Sequence, residues 1–158
     1  MMRIPKIYLE TTVFNFFFAE DAPEKRQDTI KLFEEIKDGS YIPYTSDAVL
    51  EELEKAAAEK FNQMFSLIGQ YSMIILTVTD EAKRLADIYI KEGIIPEKYP
   101  TDALHIALAT VNDLDYIVSY NFRHIVKVKT ITMTESINLR ENYKRIGIFS
   151  PTEVIDYD

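Results

Sequence analysis

Short apolar runs alternate with longer amphipathic segments along this chain. The apolar runs predict buried strands over residues 6–10, 41–45, 72–78, 115–120 and 128–133. The amphipathic segments repeat apolar residues every three to four positions and predict helices over residues 23–39, 46–59, 59–69, 80–93, 102–113 and 134–145. Thr79 and Thr101 suit helix starts, while Gly39 and Gly93 suit helix ends, which supports these boundaries.

The order of these elements, with strands and helices alternating from end to end, indicates a parallel sheet. The strands are apolar along their length, so helices are expected to cover both faces of a doubly wound α/β sheet. No repeat or linker interrupts the pattern, and we expect residues 1–158 to form one domain. Residues 11–20 are expected to turn outward as a connection. Ligands bind doubly wound α/β sheets at the carboxyl ends of the strands.

Composition excludes several classes of protein. The chain of 158 residues has no cysteine, so neither disulfides nor thiolate chemistry is expected. No apolar stretch approaches the ~18 residues of a membrane span, and the first residues do not resemble a secretory signal, so a cytoplasmic protein is expected. The few glycines and histidines fit no dinucleotide fingerprint, P-loop or zinc-protease motif. After these exclusions, the side chains left as candidates for chemistry are those that offer oxygen atoms, which are the ligands of Mg²⁺ or Mn²⁺.

Four polar residues stand where predicted strands end or helices begin: Glu10, Glu52, Asp102 and Asn121. In a parallel sheet they can point into one cleft, where a shared divalent cation would offset the repulsion between carboxylates. Such an ion also activates water and stabilises a phosphate under attack, which a nuclease requires. Structural alternatives remain open. Glu10 could cap a turn, Glu52 could make a buried hydrogen bond, and Asp102 could serve the helix dipole.

The second carboxylate is Glu52 rather than Glu51 because of the helical period. Glu52 lies three residues after Val49 and four before Ala56, on the apolar face of the predicted helix. Glu51 falls on the polar face, where solubility explains it. An inward glutamate is costly unless it is paired or binds a cation.

Neighbouring residues could support these four. Thr11, Thr12 and Asn15 follow Glu10 closely enough to hydrogen-bond its carboxylate. His105 lies one turn after Asp102 on the same helix face, where it either touches the site or has a structural role.

The formal net charge of −8 does not favour a protein that relies on phosphate contacts alone. The segment 123–145 is nevertheless basic, because it contains few acidic residues. Its basic residues are Arg123, Lys127, Lys129, Arg140, Lys144 and Arg145. Arg123 and Lys127 are therefore candidates for binding nucleic acid. The alternative is an ordinary solvated surface.

Four phenylalanines lie close together after the first candidate acid, at positions 14, 16, 17 and 18. Core packing accounts for some of them, but a run on a connection cannot all face inward. We expect part of it to line a homodimer interface or a groove for a partner helix, with base stacking as an alternative.

The motifs YLETTVFN, SDAVLEEL, TDALHIALA and LDYIVSYNFRHI resemble those of the PIN domain family in order and spacing. The tail NLRENYKRIGIFSPTEVI is similar to the end of VapC-like PIN proteins. The resemblance implies a three-layer α/β/α fold with a central parallel sheet and a Mg²⁺- or Mn²⁺-dependent endoribonuclease. It also implies a toxin held in check by an antitoxin protein, and often a dimer. By position, it assigns the acidic set to Glu10, Glu52, Asp102 and Asn121 and supporting hydroxyls to Thr12 and Ser119.

Two positions depart from the family pattern. The family usually has Asp where this chain has Glu10, and Asp where it has Asn121. The first change lengthens a ligand by one methylene and the second removes a negative charge. An alternative function is therefore a PIN-fold protein of weak or no activity that binds RNA or a protein partner. A third possibility is a small domain that binds a phosphorylated ligand or acts as a receiver. It is disfavoured because Glu10 has no second acid beside it.

Overall fold

A computed structural model describes residues 3–157. Its five strands are β1 (Lys6–Leu9), β2 (Ile42–Ser46), β3 (Ile74–Leu76), β4 (Tyr116–Val118) and β5 (Gly147–Phe149). Its eight helices are α1 (Thr11–Phe17), α2 (Pro23–Lys37), α3 (Asp47–Leu53), α4 (Ala58–Gln70), α5 (Asp80–Lys91), α6 (Pro100–Val111), α7 (Val128–Arg140) and α8 (Pro151–Val154). Within this part of the chain, no helix combines the length and apolarity needed to cross a membrane.

The five strands form one parallel sheet in the order β3-β2-β1-β4-β5. Strand β1 is central, with β2 and β3 on one side of it and β4 and β5 on the other. The strand order therefore reverses between β1 and β4. Right-handed crossovers therefore place helices α1 to α4 and helices α5 to α7 on opposite faces of the sheet. Helix α8 follows the last strand and packs against α2. The predicted three-layer α/β/α fold with a central parallel sheet is confirmed. That the whole of 1–158 is one domain stays a prediction.

The core lies around β1, β4 and α6. Ile7, Tyr8 and Leu9 are fully buried in β1, and Ile117 and Val118 are fully buried in β4. Helix α6 is apolar on nearly every side, and its residues 105–110 are all buried. A helix of this kind belongs in the core, and it carries the polar residues His105 and Thr110 into the interior as well.

A buried polar cluster joins α5, α6 and α7. The hydroxyl of Tyr89 donates to the side-chain oxygen of Asn138, and lies 3.4 Å from the hydroxyl of Thr110. The amide of Asn138 also donates to Thr110, at 3.3 Å. These contacts hold the three helices of one face together.

The prediction of a strand at 128–133 is wrong, because these residues form the first turns of α7. The β-branched residues favour a strand locally. However, the buried positions Thr130, Thr134, Ile137 and Asn138 recur with a helical period. The fifth strand is β5, where Gly147 leaves room for two aromatic rings: a Cβ there would lie 2.5 Å from the Phe149 ring and 2.8 Å from the Tyr116 ring.

Two further expectations are corrected. Residues 11–17 form α1 rather than an outward connection, because the Glu10 side chain caps the helix. Strand β3 was expected to be buried, but Ile74 and Ile75 are 46% and 41% exposed because β3 is an edge strand.

The phenylalanine run is buried to different degrees along its length. Phe14 is fully buried, Phe16 is half-buried, and Phe17 and Phe18 are half-buried against the core. That this run forms a dimer interface stays a prediction.

Candidate metal and active site

Glu10 lies at the point where the strand order reverses, which is the usual ligand site of a doubly wound sheet. It follows β1 directly, and its backbone N–H donates to the Val118 carbonyl at the end of β4, at 3.1 Å. The Glu10 carboxylate is only 3% exposed. The fold therefore fixes a buried carboxylate at the carboxyl ends of the two central strands.

Three hydrogen bonds hold the Glu10 carboxylate, and all end on Oε1. The Thr12 hydroxyl donates at 2.6 Å, the Thr12 backbone N–H at 3.2 Å, and the Ser119 hydroxyl at 2.6 Å. Within residues 3–157, Oε2 receives no hydrogen bond, so it is available to a ligand. Burial raises the pKa of Glu10, against the opposing effects of His105 and of the bonds from Ser119 and Thr12.

Glu52 approaches the same point from α3. Its Oε1 accepts from the Thr11 hydroxyl at 2.5 Å and from His105 Nε2 at 2.7 Å. Glu51 is exposed and Glu52 is half-buried, as the helical period predicts. Burial disfavours the Glu52 carboxylate, but the bond and charge of His105 and the Thr11 bond outweigh it, so the pKa of Glu52 is lowered.

His105 is fully buried and links Glu52 to the core. Its Nδ1 shares a hydrogen bond with the Tyr8 hydroxyl at 2.6 Å, and that hydroxyl contacts Ser46 Oγ at 2.7 Å. Burial opposes protonation of His105, but the Glu52 bond and the charges of Glu10, Glu52 and Asp102 prevail and raise its pKa. Burial raises the pKa of Tyr8 well above its usual value, so its hydroxyl stays protonated.

Glu10, Glu52 and His105 together could hold a metal ion. Each offers one ligand atom, and in the described part of the chain these atoms all lie within 4.8 Å of one another. Two carboxylates and an imidazole suit a divalent cation. The free Oε2 of Glu10 also fits a ligand that would approach from the cleft.

Asp102 lies beside this group rather than within it. It stands in the first turn of α6, and its Oδ2 is 2.9 Å from Nδ1 of His124. Both side chains are largely shielded, at 13% and 10% exposure. The Asp102 charge nevertheless reaches His105, whose pKa it helps to raise. The pairing with His124 thus holds Asp102 at the edge of the candidate site.

Asn121 caps the turn that follows β4. Its side-chain oxygen accepts from the His124 backbone N–H at 3.0 Å, and its own N–H donates to Ser119 Oγ at 2.9 Å. Asn15 is half-buried and, within residues 3–157, makes no side-chain hydrogen bond to Glu10. The amide of Asn121 therefore supports the loop, and Asn15 is not among the described residues that hold the Glu10 carboxylate.

Sequence reasoning missed three contributors. Tyr8 and Ser46 support His105, and His124 pairs with Asp102. A tyrosine inside an otherwise aliphatic strand was a signal for the first, because its hydroxyl needs a buried partner. No local pattern indicated the partner of His124.

The basic segment divides into two parts. Its distal members form ion pairs: Arg140 with Glu92 and Glu141, Lys144 with Asp115, and Arg145 with Glu135. Arg123, Lys127 and Lys129 have no carboxylate within 4 Å among the described residues. Only the part next to Asn121 therefore offers unpaired positive charge.

A surface cavity of about 550 Å³ lies elsewhere, beside the amino ends of the strands. It is lined by Pro5, Tyr41, Tyr116 and residues near the carboxyl terminus of the chain. None of the candidate site residues lines it.

Comparisons with known proteins support the fold. No protein-family model and no curated relative match this sequence. Among solved structures, a chain in the crystal structure of VapBC2 from Rickettsia felis bound to a DNA fragment from their promoter is similar. The TM-score is 0.53 at 12% identity, over 92% of this chain and 98% of that chain. At this identity the likeness bears on the fold alone.

Proposed function

We propose that this chain is a metal-dependent endoribonuclease of the PIN and VapC-like type. The observation that carries the proposal is the convergence of Glu10, Glu52 and His105, with ligand atoms within 4.8 Å, where the strand order reverses. The likeness of the fold to a chain of the VapBC2 complex supports the same assignment.

In this proposal Glu10, Glu52 and Asp102 hold Mg²⁺ or Mn²⁺. If His105 joins these carboxylates as a ligand, its imidazole favours Mn²⁺, because Mg²⁺ is the harder of the two cations. When bound, the ion would lower the pKa of a coordinated water and stabilise negative charge on the phosphate. His105 either adds a ligand or orients Glu52.

The surrounding residues prepare the two glutamates. Thr12 and Ser119 restrain Glu10, while the bonds from Thr11 and His105 restrain Glu52. Carboxylates held in this way need little rearrangement to bind a cation or to orient a phosphodiester. Asn121 adds a neutral oxygen near the site, and the unpaired Arg123 and Lys127 contact RNA phosphates.

The test uses two adjacent glutamates as a matched pair. Glu52→Gln is expected to abolish Mn²⁺-dependent cleavage of structured RNA and to weaken Mn²⁺ binding by calorimetry. Glu51→Gln, at an exposed position, should leave both unchanged. Asp102→Asn should also lose cleavage. Equal, feeble cleavage by all four proteins, wild type included, would indicate contamination and overturn the proposal.

The second candidate function is a PIN-fold protein that binds RNA or a protein partner without cutting. The specific observation in its favour is that Asp102 and the side chain of Asn121 are both bound to His124. Groups engaged in this way are less available to a metal ion. This candidate predicts that RNA binds and is recovered intact with Mn²⁺ present.

A protein partner is part of the proposal, because the similar structure is a VapBC2 complex. We propose a small antitoxin protein, and also a homodimer of this chain. Co-expression with a neighbouring short reading frame, followed by co-purification, tests the antitoxin. Light scattering over a dilution series tests the dimer, and a monomer at every concentration contradicts it. A cytoplasmic location stays a prediction.

A further inference from the structure

Two exposed aromatic rings border the candidate site. Tyr99 is 39% exposed and Phe122 is 49% exposed. Tyr99 immediately precedes α6, and its ring lies on the His124 ring with centroids 4.2 Å apart. His124 in turn is bonded to Asp102. Phe122 is next to Asn121 in the turn after β4, and the same turn contains His124.

Core packing does not account for these two rings. The Tyr99 ring packs against a polar imidazole at a tilt of 38°, and the Phe122 ring has as its ring neighbour only Tyr120, at 6.5 Å, among the described residues. Each ring is therefore partly exposed to solvent beside polar residues. Base faces of nucleic acid are the ligands that such isolated rings bind without regard to sequence.

Unpaired cations accompany the rings. Lys25 Nζ lies 5.8 Å from the Phe122 centroid and 5.0 Å from that of Phe16. Within residues 3–157, neither Lys25 nor Arg123 has a carboxylate within 4 Å. In a chain with a net charge of −8, two cations that no carboxylate of the described residues neutralises suit the phosphates that link stacked bases.

We infer that Phe122 and Tyr99 each stack on a base of single-stranded RNA, while Lys25 and Arg123 bind the phosphates beside those bases. This inference rests on the proposed function and narrows its substrate to unpaired RNA. A duplex keeps its bases stacked on one another and cannot present their faces to the two rings. A loop or an unpaired end can do so.

Binding measured in EDTA separates recognition from cleavage. A fluorescent single-stranded RNA and a blunt-ended duplex that contains the same sequence are titrated by anisotropy. Phe122→Leu and Tyr99→Leu should each weaken binding of the single strand by about 5- to 150-fold, the range for loss of one base–aromatic stack. Phe65→Leu is the matched control, because Phe65 is 45% exposed on α4, which contributes nothing to the site.

Conservative variants test the role of the rings themselves. Tyr99→Phe and Phe122→Tyr keep an aromatic face and should bind the single strand like the wild type. Wild-type affinity in both leucine variants overturns the inference. So does equal binding of duplex and single strand, or no detectable binding of either RNA to the wild type.

The outcome is independent of the nuclease assay. Weakened binding by the leucine variants, with intact RNA recovered in Mn²⁺, retains the stacking inference and rejects the nuclease. Glu52-dependent cleavage with unaltered binding by Phe122→Leu and Tyr99→Leu retains the nuclease and rejects the stacking.

Discussion

The hydroxyl of Tyr8 is the sharpest test of how the candidate site is built. Tyr8→Phe removes one oxygen from a fully buried position that lies between Ser46 Oγ, at 2.7 Å, and His105 Nδ1, at 2.6 Å. The ring still fills its space, so no large cavity results. Ser46 keeps its bond from the Val49 N–H, but Nδ1 of His105 is left without a partner.

The expected magnitude follows from burial. Leaving a buried polar atom unsatisfied costs about 1–3 kcal/mol. For a chain of this length, that corresponds to a fall in Tm of roughly 2–12 °C, at ~2–4 °C per kcal/mol. His105 also orients Glu52, and loss of a group that orients a metal ligand weakens metal binding by about 10- to 100-fold. Tyr8→Phe should therefore reduce both stability and Mn²⁺ affinity.

The control is Tyr89→Phe, which removes the hydroxyl of an equally buried tyrosine. That hydroxyl bonds Asn138 in α7, outside the candidate site. Both variants should lose similar stability in urea unfolding, but only Tyr8→Phe should lose Mn²⁺ affinity in calorimetric titration. If Tyr8→Phe binds Mn²⁺ as the wild type does, or if both variants lose affinity equally, the hydrogen bonds that join Tyr8 to Glu52 through His105 do not support the site.

Three further predictions concern stability, each measured by urea unfolding. Gly147→Ala should destabilise by about 1–3 kcal/mol, because its Cβ would lie 2.5 and 2.8 Å from two aromatic rings. Gly69→Ala, in α4 with open space around it, should stabilise by about 0.5–1 kcal/mol. If Gly69→Ala were the less stable of the two variants, this account of the packing at the two glycines would be wrong. Asp115 has a lowered pKa, chiefly through its bond from Arg3, so its charged form stabilises the fold at neutral pH. The stability lost in Asp115→Asn should therefore be largest at neutral pH and shrink as the pH falls below the ordinary pKa of 3.8; a constant difference would contradict this. Thr134 Oγ1 is buried without a hydrogen-bond partner among the described residues, so Thr134→Val should raise stability by about 1 kcal/mol, and a loss would argue for an unseen partner.

Much of the framework could be predicted from local patterns. The alternation of apolar runs and amphipathic segments predicted a parallel sheet covered by helices on both faces. The helical period separated Glu52 from its exposed neighbour Glu51. The position of Glu10 after a buried strand indicated that it lies at the carboxyl end of the sheet. These features depend on residues a few positions apart, and hydrophobic periodicity reports that range directly.

Other features were decided by tertiary packing. His105 could not be assigned from its helix alone, because its partners Tyr8 and Glu52 are 97 and 53 residues away in the sequence. The pairing of Asp102 with His124 was hidden for the same reason. Residues 128–133 have strand-forming side chains, yet they form a helix that packs Thr130 and later residues inward. A pattern in sequence reports which face of an element is apolar, whereas the partner of a buried polar atom depends on which elements the whole fold brings together.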